Sequence, residues 1–200
     1  MSEYNLISKI YDPSLYIFLN PIRKAVVKII QDLNPEKIIY FCCGTGNQLK
    51  YLKKQGFNNL LGIDIDEGMV KQSNKGKYKA NCEIKDASDT KYDDNSFDFI
   101  MVSLAIHEKN EEIQQKIIKE MYRIVKPGGN ILIVDYIYNN NTFKFAKLGV
   151  HIIERIAGKE HYSNFKNFIR IGGLDKLVKK NIILEKKIWF NSIVLRLYQG

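Results

Sequence analysis

Lys37-Ile38-Ile39-Tyr40-Phe41-Cys42-Cys43-Gly44-Thr45-Gly46-Asn47-Gln48-Leu49-Lys50 is the stretch whose reading decides the fold. A run of apolar residues, Ile38 to Cys43, meets a Gly-Thr-Gly turn, and polar Asn47 then opens an amphipathic segment. That order reads as buried strand, tight turn and helix start. Glycines let the backbone turn sharply and let a ligand approach it. The first turn of the new helix has free N–H groups that favour a negative or hydrogen-bond-accepting ligand. A dinucleotide fingerprint would need a third glycine where Leu49 stands, and a P-loop would need lysine after Gly46, where Asn47 stands. Both phosphate readings are weakened. Asn59 to Asp64 is a second short apolar run that ends on a carboxylate. An acid at the end of the second strand can accept both ribose hydroxyls of an adenosine, so the pair of strand ends suits a nucleoside without phosphate.

Four blocks then resemble, in order and spacing, the class I S-adenosylmethionine-dependent methyltransferases. They are Ile38–Gly46, Gly62-Ile63-Asp64-Ile65-Asp66-Glu67-Gly68-Met69, Lys85-Asp86-Ala87 followed by Asn95-Ser96-Phe97-Asp98, and Glu120 to Gly129. The resemblance covers residues 36–136 and, within that superfamily, leans towards the ubiquinone/menaquinone-biosynthesis methyltransferases and their small-molecule relatives. It implies a doubly wound, Rossmann-like α/β fold with a seven-stranded sheet whose last strand is antiparallel. It implies S-adenosylmethionine as cofactor and a small, apolar or aromatic methyl acceptor. The implied cofactor residues are Tyr11, Tyr40, Cys43, Gly44, Gly46, Asp64, Ile65, Met69, Asp86, Ala87 and Ser103. Asp86 would face the adenine and Met69 would pack beside it. Two positions depart from the pattern. Tyr40 stands where an acid is usual, and it cannot carry that charge near neutral pH. Cys42 stands where a glycine is usual. These departures keep a non-catalytic S-adenosylmethionine-binding protein among the alternatives.

The 200 residues suit one domain, with residues 1–34 as an N-terminal helical cap and 139–180 as a helical insertion or lid. Hydrophobic residues make up 45% and charged residues 26%, ordinary globular values that permit a full core. No apolar run reaches the length of a membrane span, and the N-terminus has no basic-then-apolar leader, so a cytoplasmic location is expected. Three cysteines, two adjacent, make no disulfide framework, and no histidine spacing suggests a metal. The net charge of +9 keeps an RNA or protein methyltransferase in play. The lysines are scattered, however, and no RNA-binding signature appears, which argues against nucleic acid.

Tyr11-Asp12-Pro13-Ser14 is expected to break the N-terminal segment into two helices, with Asp12 as a cap and a bend at Pro21. Helices are expected at 47–55, 67–74, 109–126, 143–157, 162–171 and 174–180. Strands are expected at 60–64, 80–84, 97–102, 130–135, 182–190 and 192–198, the last two forming an antiparallel pair. His107 and Glu108 follow the fourth strand, at the edge where doubly wound sheets place their sites. His107 is the catalytic candidate, as a general base for an oxygen nucleophile. Asp135-Tyr136 is a second substrate-side candidate. The insertion mixes Phe and Tyr with Lys144, Lys147, Arg155, Lys166 and Arg170. It reads as cover for the sheet and a partial lid, or as a surface resting on anionic lipid.

Overall fold

The computed structural model describes residues 4–200, with side chains from Phe18 onward. Contacts divide the chain into two compact units, Met1–Lys85 and Asp86–Gly200.

The first unit is built from α1 (Tyr4–Leu33), β1 (Ile38–Phe41), α2 (Asn47–Lys54), β2 (Leu60–Asp64), α3 (Glu67–Ser73) and β3 (Cys82–Ile84). One continuous α1 replaces the two expected helices. A proline removes one helical hydrogen bond and crowds the preceding turn, yet α1 passes through positions 13 and 21. Beyond Pro21 the helix buries Ile22, Ala25, Val26, Ile29 and Ile30 at helical spacing, and such packing outweighs local propensity. All four residues of β1 are buried, as a strand covered on both faces requires. β1 pairs parallel with β2, Ile38 opposite Leu60, and β2 pairs parallel with β3. The carboxyl ends of these strands therefore share one edge. Asp66 caps α3 by accepting from the Met69 N–H at 2.8 Å, and Glu67 adds a favourable charge to the first turn.

The second unit contains β4 (Phe97–Ser103), α4 (Glu111–Ile124), β5 (Val125–Tyr136), α5 (Lys144–Ala157), α6 (Lys159–Arg170), α7 (Gly173–Leu177), β6 (Ile182–Ile188) and β7 (Ile193–Gln199). Asn110 caps α4 by accepting from the Ile113 N–H at 3.0 Å. Glu111 and Glu112 at its start and Arg123 in its last turn complement the helix dipole. β5 begins at Val125, earlier than expected, because Val125 pairs with Phe97 across an irregularity that absorbs Lys126 to Gly129. β4 and β5 are parallel, and β7 runs antiparallel to both β5 and β6. Arg196 on β7 is buried and answered by Glu185 at 2.8 Å and Asp175 at 2.7 Å. Gly158 alone separates α5 from α6, so the break expected over 158–161 is shorter.

The strand order β3-β2-β1-β4-β5-β7-β6 makes a seven-stranded mixed sheet, as the α/β reading expected. Among the described residues no helix is long and apolar enough to cross a membrane.

Candidate active site

In the first unit the site candidates gather around the turn after β1. Asp64, at the end of β2, accepts from the Gly44 N–H through Oδ2 at 2.7 Å and from the Asp66 N–H through Oδ1 at 3.0 Å. The carboxylate thus ties the glycine turn to the second strand. A carboxylate has about four lone-pair directions, so two backbone bonds leave room for two hydroxyl donors. The two glycines of the turn serve different purposes. Gly44 sits at φ 54° with nothing within 4 Å of a would-be Cβ, leaving open space beside the backbone. Gly46, at φ 68°, would drive a Cβ to 2.8 Å from Ser73 Cβ and 3.0 Å from Ala80 Cβ. It is needed for packing against the chain around α3. Ile65 follows Asp64 and is 68% exposed, an apolar side chain standing free beside a polar anchor. Met69 is half-buried on α3. An adenosine fits this set: hydroxyl acceptors at Asp64, open backbone at Gly44 and apolar surface at Ile65.

The unusual residues of the turn are accommodated. Tyr40 is buried within β1, paired with Gly62. Cys43 is buried and donates to the sulfur of Cys82 at 3.3 Å. That bond and its burial push the Cys43 thiol far up, so it stays protonated. Cys42 takes φ 53°, a left-handed conformation in which an L side chain costs about 1–2 kcal/mol. Cys42→Gly should therefore stabilise the protein, by about 1 kcal/mol after the added freedom of glycine in the unfolded chain is offset. Thermal melting checks this, and a lowered melting temperature would refute it.

Tyr11 lies on α1, but its side chain is outside the described residues. Asp86 and Ala87 open the second unit. Asp86 is exposed and accepts from the Ser88 N–H and hydroxyl, both at 2.8 Å, while Ala87 is buried. Ser103 ends β4 half-buried, and Leu104 turns out of the strand at φ 52°.

His107 occupies a setting that sequence reasoning missed. Its side chain is almost wholly buried. Nδ1 lies 2.6 Å from Asp135 Oδ1, and the His107 backbone N–H donates to Asp135 Oδ2 at 3.2 Å. Nε2 lies 3.3 Å from Glu154 Oε2 on α5. Glu154 Oε1 accepts from the Tyr136 hydroxyl at 2.9 Å. His161 on α6 continues the chain of charges, with Nδ1 at 3.5 Å from Glu154 Oε2 and Nε2 at 2.5 Å from Glu108 Oε2. Lys109 closes it at 2.6 Å from Glu108 Oε1. Glu154 Oε2 thus lies between the two imidazoles without a well-formed hydrogen bond to either. The His107 ring is packed against Tyr136, with centroids 4.7 Å apart, and lies near Phe165 and Phe168.

Burial alone would lower the His107 basicity, but the Asp135 and Glu154 carboxylates reverse this and raise its pKa to about 10. Burial likewise opposes the charge on Glu154, while His107 and His161 bring it down to about 2. Glu108, followed by Glu154, raises His161 to about 9. A general base needs a neutral imidazole with a lone pair facing the substrate. His107 is protonated at neutral pH, with both ring nitrogens turned to carboxylates. The base role expected from its position does not fit this geometry. Asp135 and Tyr136, buried in the same network, are likewise unsuited to direct substrate contact. One signal for Glu154 was available in the sequence. It is the sole acid of α5 and stands four residues from Val150, on the buried side. Among the described residues no group of three or more His, Cys, Asp and Glu is arranged to hold a metal ion.

Residues 39–133 match the family described as Methyltransferase domain. Over those residues, just under half of its length, the chain is similar to that family. It is 26% identical over 154 residues to the demethylmenaquinone methyltransferase of Thermotoga maritima, covering 76% of this chain and 61% of that protein. It is 32% identical over 112 residues to the Staphylococcus carnosus enzyme of the same name, covering 54% and 46%. The chain therefore spans about half to three-fifths of these relatives' length. Among solved structures, the plantazolicin methyltransferase in complex with SAH superposes with a TM-score of 0.65 at 16% identity, covering 98% of this chain and 90% of that one. A SAM-dependent methyltransferase from Archaeoglobus fulgidus gives 0.59 at 17% identity, covering 92% and 99%. These likenesses establish the methyltransferase fold.

Proposed function

We propose that the protein transfers a methyl group from S-adenosylmethionine to a small, apolar or aromatic acceptor. The observation that carries this reading is the bond from the Gly44 N–H to Asp64, which holds an open glycine turn against a carboxylate at the neighbouring strand end. Asp64 would take the ribose hydroxyls, Gly44 would leave room beside the backbone, and Ile65 and Met69 would lie against the base. When bound, the cofactor supplies a methyl group already activated on a sulfonium centre. The protein's task is then to hold a nucleophile in line, and orientation of this kind supplies several kcal/mol of the barrier. With His107 held as a buried cation, acceptors that need no histidine base are favoured, such as an electron-rich ring carbon or an oxygen already ionised. The similarity to demethylmenaquinone methyltransferases supports an aromatic acceptor of that kind.

Calorimetric titration with S-adenosylmethionine and S-adenosylhomocysteine, with NAD as control, tests the reading. Micromolar binding of the two sulfur compounds, about 8 kcal/mol of free energy, and none of NAD is the expected result. Absence of binding by both sulfur compounds would refute it.

A further inference from the structure

α5 is amphipathic in an inverted sense. Its one acid, Glu154, is buried, and of its 14 residues only Val150 and Glu154 are buried. Four of its apolar residues point outward instead. Phe145 is 57% exposed, Leu148 62%, Ile152 53% and Ile156 69%. These positions recur at three- and four-residue steps and make one stripe along the helix. The stripe continues off the helix at its N-terminal end. Phe143 and Phe190 are both more than half exposed and pack with Phe145, the Phe145–Phe190 ring centroids being 4.7 Å apart. Scattered exposed apolar side chains are ordinary, but a contiguous ridge of six marks a surface that meets something apolar.

The charge around the ridge says what that is. Lys144 and Arg155 are exposed and fall within about 40° of Leu148 around the helix axis. Lys159 is exposed just past the helix end, and α5 shows no acid to solvent. The nearest exposed acid along the chain, Glu160, lies beyond Gly158. The whole chain carries a net charge of +9. An apolar ridge edged by cations, on a helix lying at the surface, matches the boundary of an anionic bilayer: the rings and aliphatic chains enter among the acyl chains and the cations meet the headgroups.

We propose that the α5 ridge, with Phe143 and Phe190, docks this protein on the surface of membranes containing anionic lipid. The proposal stands apart from the methyl-transfer reading, because docking is measured without turnover.

Flotation of the purified chain with vesicles of phosphatidylcholine plus phosphatidylglycerol, against phosphatidylcholine alone, tests it. The chain should float with the anionic vesicles, and added salt should weaken the association. The double variant Leu148→Ser, Ile152→Ser removes two exposed apolar groups and should weaken partitioning by about tenfold or more while the melting temperature is kept. Lys144→Glu with Arg155→Glu should reduce binding to the anionic vesicles. Three results would overturn the proposal: no flotation with anionic vesicles, equal flotation with neutral ones, or undiminished binding by the Leu148/Ile152 variant. Sedimentation velocity separates the competing occupant. A wild-type dimer that the Leu148/Ile152 variant converts to monomer, with no vesicle binding by either, would make the ridge an interface between copies of this chain and overturn the lipid assignment.

Discussion

Asp135→Asn should destabilise the protein by about 3–5 kcal/mol, the cost of breaking a buried ion pair from one side. Asp135 holds His107 twice, through the ring nitrogen at 2.6 Å and through the backbone N–H at 3.2 Å. Removing its charge leaves a buried imidazolium with Glu154 as its one adjacent carboxylate among the described residues, and that contact is poorly aligned. The effect should propagate, since Glu154 belongs to α5 and His161 to α6. Both helices are tied to the ends of β4 and β5 through these charges. Replacing His107 and Asp135 together by apolar residues of similar size should cost less than either single change, because no unpaired charge remains.

The pH dependence follows from the same network. The His107 pKa is raised from its ordinary 6.5 to about 10 in the folded state. Its contribution is complete below 6.5 and is lost as the pH rises towards 10. Glu154 is lowered from 4.5 to about 2, so its contribution is complete above 4.5 and is lost as the pH falls towards 2. Together they favour maximal stability between pH 4.5 and 6.5 for this cluster. Denaturant unfolding across pH should show stability falling on the alkaline side in the natural protein, with that slope reduced in a His107→Leu variant. An unchanged alkaline slope would show that His107 is not held as a cation.

Asp64→Asn should weaken binding of S-adenosylhomocysteine by about 10- to 100-fold, the equivalent of about 1.5–3 kcal/mol for hydrogen bonds to a charged group. The amide retains one acceptor, enough for the Gly44 N–H, but loses the charge and the second acceptor that a pair of hydroxyls requires. The turn should therefore survive while the ligand is lost, and the melting temperature of the free protein should change far less than the affinity. Calorimetry on the variant decides this. Unchanged affinity would remove Asp64 from the proposed binding set.

These two residues mark where local pattern was sufficient and where it failed. β2 over Leu60–Asp64 was legible because a short apolar run bounded by polar residues has few alternatives. The same holds for the Gly-Thr-Gly turn after β1. A strand followed by glycines, and a strand ending in an acid, place both groups at one edge once the strands pair in parallel. The register needed to bring Gly44 within 2.7 Å of Asp64 comes from that pairing. The start of α3 at Glu67 was legible, whereas the helix expected from 109 begins at Glu111, after Asn110 caps it. The N-terminal helix was misread because proline's local penalty was visible while the burial of Ile22 to Ile30 was not.

The chemistry of His107 was beyond local reading for a different reason. Its place after the fourth strand was set by the chain's order, and that position alone suggested a base. Its protonation depends on carboxylates 28 residues away on β5 and 47 residues away on α5. Coulombic effects act over distance in space, and burial depends on everything packed around the ring. The first strand with its glycine turn, the second strand ending in an acid and the antiparallel final pair were legible in the sequence itself, since they rest on periodicity and backbone freedom within short windows, while the doubly wound sheet was implied by the family resemblance. Only the tertiary structure decided that His107 is a caged cation, that Gly46 serves packing while Gly44 lies open, and that α5 buries its acid and turns an apolar stripe outward. Each of those depends on which distant side chains share the same few ångströms.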